Sequence, residues 1–254
     1  MRTDMARTRP RFLGIDFDAA TYGEVADRLA HLALRETFTF VVTPNVDHVL
    51  MLNPTSTADK TLAFQQAYSA AEMRLCDSRI LQRLARFHDV RLDVITGSDL
   101  TRFLFENGRL DGQKVAIIGG DEDMVPELHE RFPTVEIVQH RPPMGVLGNT
   151  QAVEEIIRYI AQERAHYVML AIGAPQSEII AHRCLLAGKS VGVGLCIGAS
   201  IEFLLGRKSR APHWMQRLGL EWAFRLASEP RRLWRRYLVS GPRIFRLSYQ
   251  WRAR

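Results

Sequence analysis

Short runs of apolar, often β-branched residues alternate along the chain with longer segments in which apolar residues recur every three to four positions. The runs predict strands over Phe12–Phe17, Phe38–Thr43, Met73–Cys76, Lys114–Gly119, Val135–Gln139, Tyr167–Ile172 and Val191–Cys196. Between them, Val25, Leu29 and Leu32, and again Val153, Ile156, Ile157 and Ile160, keep the spacing that gathers side chains on one helical face. Strands that are apolar throughout and separated by helices predict a mostly parallel sheet covered on both faces. After Gly206 this pattern stops. Pro212, Pro230 and Pro242 divide the remainder into about three short helices, since proline is tolerated in a first helical turn.

The expected fold is therefore α/β, a Rossmann-like sheet with helices on both faces, followed by a helical appendage. The expected division is a flexible segment over 1–11, a catalytic α/β domain over 12–206 and the appendage over 207–254. Ligands of open α/β sheets bind outside the carboxyl ends of the strands. The turns to inspect are thus Thr43-Pro44-Asn45, Gly119-Gly120-Asp121, Gly173-Ala174-Pro175 and Gly198-Ala199-Ser200.

Charge sharpens the division. The chain of 254 residues is net +6. Residues 207–254 hold 13 Lys and Arg against 2 Asp and Glu, a surplus of +11, which leaves the body at −5. All four tryptophans, Trp214, Trp222, Trp234 and Trp251, lie in the same stretch. Trp214, Leu218, Trp222, Arg225 and Leu226 keep helical spacing, as do Leu233, Trp234, Tyr237 and Leu238. Such Arg/Trp/Leu helices suit an anionic membrane surface, a nucleic acid, or packing onto the body. All three remain open at this level.

Other features exclude more than they assign. Cys76, Cys184 and Cys196 are widely spaced and never form a Cys-x-x-Cys pair, which argues against a disulfide framework and for a reducing compartment. Residues 1–11 contain no apolar core of a secretory signal. The longest apolar stretch, Val191 to Gly206, contains Glu202 and is shorter than the about 20 residues a membrane span requires. His166 and His182 do not keep metal-ligand spacing. The triplets Asp16-Phe17-Asp18 and Asp121-Glu122-Asp123 suit helix N-termini, with Thr21 and Glu24 spaced as a capping box. No metal site is expected.

Candidate chemistry is sparse. Gly119-Gly120 could bring backbone to a phosphate or could be a tight turn. Thr43 and Asn45 could cap a helix or touch a ligand. Asp77, at the end of a strand, could be the N-cap of the next helix or a general base in a cleft.

In their order these motifs resemble the WecG/TagA/CpsF family, glycosyltransferase family 26. The resemblance runs from about Phe12 to Tyr237. Its most specific stretch is Arg210-Ala211-Pro212-x-Trp214, Leu218-Gly219-Leu220-Glu221-Trp222, Arg225-Leu226, Glu229-Pro230-x-Arg232 and Arg235-Arg236-Tyr237. Upstream, Thr43-Pro44-Asn45, Asp77, Gly97-Ser98-Asp99-Leu100, Gly119-Gly120 and Gly173-Ala174-Pro175 follow in order. The resemblance implies inverting transfer of a sugar, of N-acetylmannosamine or a related type, from a UDP donor. The implied acceptor is a saccharide on a polyprenyl diphosphate, and the implied product a polysaccharide or cell-envelope glycan. It implies Asp77 as base, Thr43 and Asn45 in the same cleft, and Gly119, Gly120, Gly173, Pro175, Gln176, Glu178, Arg210, Arg217 and Arg225 as substrate contacts. No cofactor and no metal requirement are implied. The expected location is peripheral, on the cytoplasmic face of the inner membrane, with an anionic membrane surface as partner and a homo-oligomer as an option. The chain departs from the family pattern in reading Cys76-Asp77-Ser78, Gly173-Ala174-Pro175-Gln176-Ser177-Glu178 and Ile201-Glu202. The rival expectations are a nucleic-acid-binding protein using the basic tail, and a dinucleotide-dependent enzyme that lacks the Gly-x-Gly-x-x-Gly fingerprint.

Overall fold

The computed structural model describes residues 9–54 and 59–251. A two-stranded hairpin, β1 (Arg11–Phe12) and β2 (Ile15–Asp16), opens the chain. A single strand over Phe12–Phe17 was the expectation. The chain instead reverses at Leu13 and Gly14, both at positive φ, and the two halves pair with each other. Residues 1–8 of the expected N-terminal segment lie outside the described residues. Arg9 is placed by Asp18, at 3.0 Å.

Six strands follow: β3 (Thr39–Val42), β4 (Met73–Arg74), β5 (Lys114–Ile118), β6 (Glu136–His140), β7 (Tyr167–Leu170) and β8 (Val193–Cys196). They form one parallel sheet in the order β4-β3-β8-β7-β5-β6. The helices between them are α1 (Tyr22–Ala33), α2 (Val46–Leu52), α3 (Asp59–Ala70), α4 (Arg79–Arg86), α5 (Gly97–Glu106), α6 (Met124–Arg131), α7 (Thr150–Glu163), α8 (Gln176–Ala187) and α9 (Ser200–Leu204).

Strand side chains alternate between faces, so a strand that is buried throughout must feed two cores. Phe40, Val42, Ile118, Leu170 and Cys196 join one core with Val49, Phe64, Val153, Ile156 and Ile180 of α2, α3, α7 and α8. Val41, Ile117, Met169 and Leu195 join the other with Val25, Leu29, Leu100, Leu128 and Ile201 of α1, α5, α6 and α9. The apolar helical stripes read from the sequence therefore face the sheet from opposite sides. Thr21 and Glu24 form the capping box of α1. Asp121 accepts from the backbone N–H groups of Asp123 and Met124 at the start of α6.

The basic tail holds α10 (His213–Arg217), α11 (Glu221–Ser228), α12 (Pro230–Trp234) and α13 (Arg243–Gln250), with a π-helical stretch over Arg235–Ser240 continuing α12. Pro230 occupies a first-turn position of α12, as its missing N–H allows. The tail is tied to the body at both ends. Arg207 reaches Glu127 at 2.7 Å and Asp121 at 2.6 Å. At the far end Trp251 packs edge-on against Phe12, with ring centroids 5.0 Å apart, and Ser248 meets His88 at 3.1 Å. In between, Arg83 donates to the carbonyls of Leu218 and Arg217. Among the described residues no helix is long and apolar enough to cross a membrane.

Candidate functional site

The four neighbouring strands β4, β3, β8 and β7 end on one edge of the sheet, and the segments that leave them build the site. Thr43, after β3, is buried and donates to the carbonyl of Cys196 at 3.1 Å, tying β3 to β8. Asn45 is the N-cap of α2, and its side-chain oxygen accepts from the N–H groups of Asp47 and His48. Capping and ligand contact were both open for Asn45. Capping is present, and the side chain also lines two clefts.

Asp77 leaves the end of β4, its N–H donating to the carbonyl of Pro44 at 2.9 Å. It does not cap α4. Ser78 is the N-cap and accepts from Leu81 N–H. The Asp77 carboxyl is thereby released from a structural task and lines both clefts. Burial pushes its pKa up to about 7; the Arg225 charge opposes this, Glu221 adds to it, the backbone N–H of Gly97 opposes it and Asp99 adds to it. A carboxyl at that value can hold or release a proton near neutral pH.

A Cβ on Gly97 would stand 3.3 Å from Ser200 Oγ and 3.4 Å from Thr43 Oγ1, so the N-terminus of α5 packs closely against the end of β3 and the β8–α9 turn. Thr96 caps α5, and Asp99 in its first turn is ion-paired with Arg210 of the tail. Burial raises the Asp99 pKa, but the hydrogen bonds from Arg210 and Thr96 outweigh it and hold the carboxyl below its usual range.

Two clefts meet at Asp77. The larger, of about 360 Å³, is walled on the tail side by Trp222, Tyr237, Leu238, Ile244 and Phe245, and on the body side by Val46, Leu50 and Ile80. The smaller, of about 240 Å³, is walled by Thr43, His48, Gly173, Ser177, Glu178, Gly198 and Ser200 from the body, and by Lys208, Arg225, Arg232 and Arg236 from the tail. Asn45, Asp47, Asp77, Arg225, Arg236 and Tyr237 line both. One cleft is thus mostly apolar and the other polar and cationic, with the same carboxyl on their common wall.

Arg225 is paired with Glu221 at 2.7 Å and lies over the Phe203 ring at 5.1 Å. Arg236 stands 3.4 Å from Asp47. It sits in the π-helical stretch, and it and the adjacent Tyr237 line both clefts. Such stretches are frequent at functional sites.

The remaining expected residues are more dispersed. Gly173 and Glu178 line the polar cleft, whereas the Gln176 side chain folds back to the Ile172 carbonyl at 2.9 Å. Pro175 immediately precedes α8. Gly119 and Gly120 follow β5, one strand further along the sheet, and line neither cleft. A Cβ on Gly119 would lie 2.9 Å from Ile172 and 3.0 Å from the Ala171 carbonyl, which accounts for glycine there by packing. Arg210 lines the apolar cleft; Arg217 is exposed and lines neither. Sequence reasoning gave no role to Glu221, Arg232, Arg236, Asp47 or Asp99. The signal for Glu221, Arg232 and Arg236 was present in the tail string and that for Asp99 in Gly97-Ser98-Asp99-Leu100, whereas Asp47 lay in neither; their convergence on the clefts depends on tertiary packing.

The tryptophans divide. Trp222 lines a cleft and Trp251 packs on Phe12, whereas Trp214 and Trp234 are exposed.

The fold and the site define a class: an α/β enzyme with a titratable carboxyl at the sheet's carboxyl edge and guanidinium groups on the walls of the adjoining clefts. The family model described as the glycosyl transferase WecG/TagA/CpsF family matches residues 10–254. The chain belongs to that family and is a glycosyltransferase, which decides the class against the nucleic-acid-binding and dinucleotide-dependent expectations.

Proposed function

We propose that the protein is an inverting glycosyltransferase that moves a sugar from a UDP donor to a saccharide on a polyprenyl diphosphate, in polysaccharide or cell-envelope glycan synthesis. The observation that carries this reading is the position of Asp77 between a polar, cationic cleft and an apolar one. The polar cleft suits a nucleotide diphosphate-sugar. The apolar cleft suits an acceptor whose carrier is a lipid.

In the proposed reaction the Asp77 carboxylate takes the proton of the acceptor hydroxyl as the oxygen attacks the anomeric carbon. The bond from that carbon to the diphosphate breaks, and UDP departs with the electron pair. One displacement from the opposite face inverts the centre. Arg225 and Arg236, with Arg210 nearby, supply fixed positive charge to the leaving diphosphate, which costs no reorganisation at the moment of reaction. Their planar forks suit phosphate oxygens. The carbonyl oxygen of Asn45 is engaged at the helix cap, so its amide NH₂ is the part offered to substrate. Thr43 holds the floor of the cleft through Cys196.

The tail then serves two tasks. Its inward residues complete the clefts. Its outward Trp214, Leu218, Trp234 and Tyr249, with exposed Arg217, Arg231, Arg235 and Arg246, offer apolar and cationic groups suited to an anionic leaflet. Such a face supports a peripheral enzyme at the cytoplasmic face of the inner membrane, where a lipid-linked acceptor would be reached.

The test is a thermal-shift screen across UDP-sugars, followed by transfer to a short-chain polyprenyl-diphosphate saccharide. Stabilisation by UDP and a UDP-sugar together with product formation supports the reading. No stabilisation by any uridine nucleotide contradicts it.

A further inference from the structure

Glu178, in the first turn of α8, is 1% exposed, and its Oε2 has no hydrogen-bond partner. A carboxyl so deeply buried is expensive unless paired and hydrogen-bonded. The neighbouring polar groups are already engaged. Ser177 Oγ donates to the Leu170 carbonyl at 3.2 Å, and Thr43 Oγ1 donates to Cys196. His48 Nδ1 is 2.5 Å from the Tyr68 hydroxyl and 3.9 Å from Glu178 Oε1, too far for a hydrogen bond. Yet Glu178 lines the polar cleft together with His48 and Ser177.

We propose that Glu178 is the specificity-determining hydrogen-bond donor of the polar cleft, offering a carboxylic O–H to an uncharged oxygen of the donor sugar. This rests on the reading of that cleft as the nucleotide-sugar site. The cleft's positive groups, Lys208, Arg225, Arg232 and Arg236, all come from the tail, whereas Glu178 comes from the body. Phosphates are drawn to the tail-side guanidinium groups. The sugar is left to the wall that holds Glu178, where an acid with its proton can bond a hydroxyl or an acetamido carbonyl. Burial pushes the Glu178 pKa up to about 7, while its own backbone N–H opposes the shift, and burial followed by the Arg236 charge pushes His48 down to about 3. His48, kept neutral, therefore supplies no positive charge that would hold the carboxyl ionised. A site built around one buried donor discriminates strongly, because a ligand lacking the matching acceptor leaves that donor unsatisfied.

The experiment measures dissociation constants of the full chain for UDP, UDP-N-acetylglucosamine and UDP-glucose in wild type, Glu178→Gln, Glu178→Leu and Glu178→Met. Wild type is expected to separate the two UDP-sugars. Glu178→Gln, which keeps a donor, retains the preference within about threefold. Glu178→Leu and Glu178→Met compress the ratio at least about tenfold, the scale of one lost buried hydrogen bond, while affinity for UDP stays unchanged. An unchanged ratio in the apolar variants, with UDP still bound, overturns the role of Glu178 and spares the donor-site reading. Failure of wild type to bind UDP overturns the donor-site reading and the proposal with it. Absence of any preference in wild type also overturns the proposal. So does failure of both apolar variants to fold, since that would make the carboxyl a structural necessity.

Discussion

Arg225 holds Glu221 at 2.7 Å across one turn of α11, and the two residues act on Asp77 with opposite signs. The guanidinium favours the Asp77 carboxylate, and the Glu221 carboxylate disfavours it. An activity that requires ionised Asp77 rises with pH through about 7 in the wild type. Arg225→Gln removes the favourable charge and moves that rise to higher pH; Glu221→Gln moves it to lower pH. Rate profiles of the two variants check the pair. Shifts in the same direction would show that neither charge reaches Asp77.

Stability should carry the same signature. Burial pushes both Asp77 and Glu178 up to about 7, whereas carboxyls of an unfolded chain ionise near pH 4. Between about pH 4 and pH 7 the unfolded chain thus holds fewer protons than the folded one, and stability falls as pH rises. Asp77→Asn and Glu178→Gln each remove one of these ionisations. Each variant is expected to melt a few degrees above wild type at pH 8, with the gain disappearing at pH values below about 4. Thermal melts at the two pH values check it.

Much of this architecture was legible in the chain because it depends on local pattern. The six sheet strands coincide with apolar runs, and the stripes of Val25 and Leu29 and of Val153 and Ile156 face the sheet as their spacing requires. The first run misled because Leu13-Gly14 reads as part of a strand until positive φ at both residues is seen to turn it. Asp77 was ambiguous for a different reason. Its side chain can cap a helix or face a cleft, and in the fold Ser78 takes the cap of α4 instead. The distance of Gly119 and Gly120 from the clefts follows from strand order, which a list of strands does not contain. Glu221 and Arg236 are separated from Asp77 by most of the sheet domain, so their approach is a tertiary event.

The tail's anchorage makes a mechanical prediction. Trp251 packs edge-on against both Phe12 and His88, at 5.0 and 5.1 Å between ring centroids. Trp251→Ala removes much of this half-buried contact and is expected to cost about 2 kcal/mol, below the range for a fully buried tryptophan. Because Ile244 and Phe245 of the same helix wall the apolar cleft, α13 should also loosen there. Denaturant midpoints measure the first effect, and faster proteolysis near Gly241-Pro242 the second. Unchanged cleavage would show that other contacts hold the helix.

The tail arginines sort into two groups by what they face. Arg231 and Arg235 are exposed, and Arg235 lies over the Trp234 ring at 5.3 Å. Replacing both with Gln should weaken binding to anionic vesicles by about 1 kcal/mol each and leave affinity for UDP intact. Arg225→Ala should do the reverse, losing UDP affinity while vesicle binding holds. Vesicle sedimentation and nucleotide titration on the same three proteins separate the groups. Equal effects of both substitutions on both ligands would mean that the tail acts as a diffuse cationic surface.

The central claim is that Asp77 takes the proton in a sugar transfer between the two clefts. Its most direct test is single-turnover transfer from a UDP-sugar to a short-chain polyprenyl-diphosphate saccharide, measured for wild type and Asp77→Asn with donor binding followed in parallel. The account predicts that Asp77→Asn binds donor as wild type does and transfers it about 10²–10⁴-fold more slowly. Transfer by Asp77→Asn at the wild-type rate would contradict it.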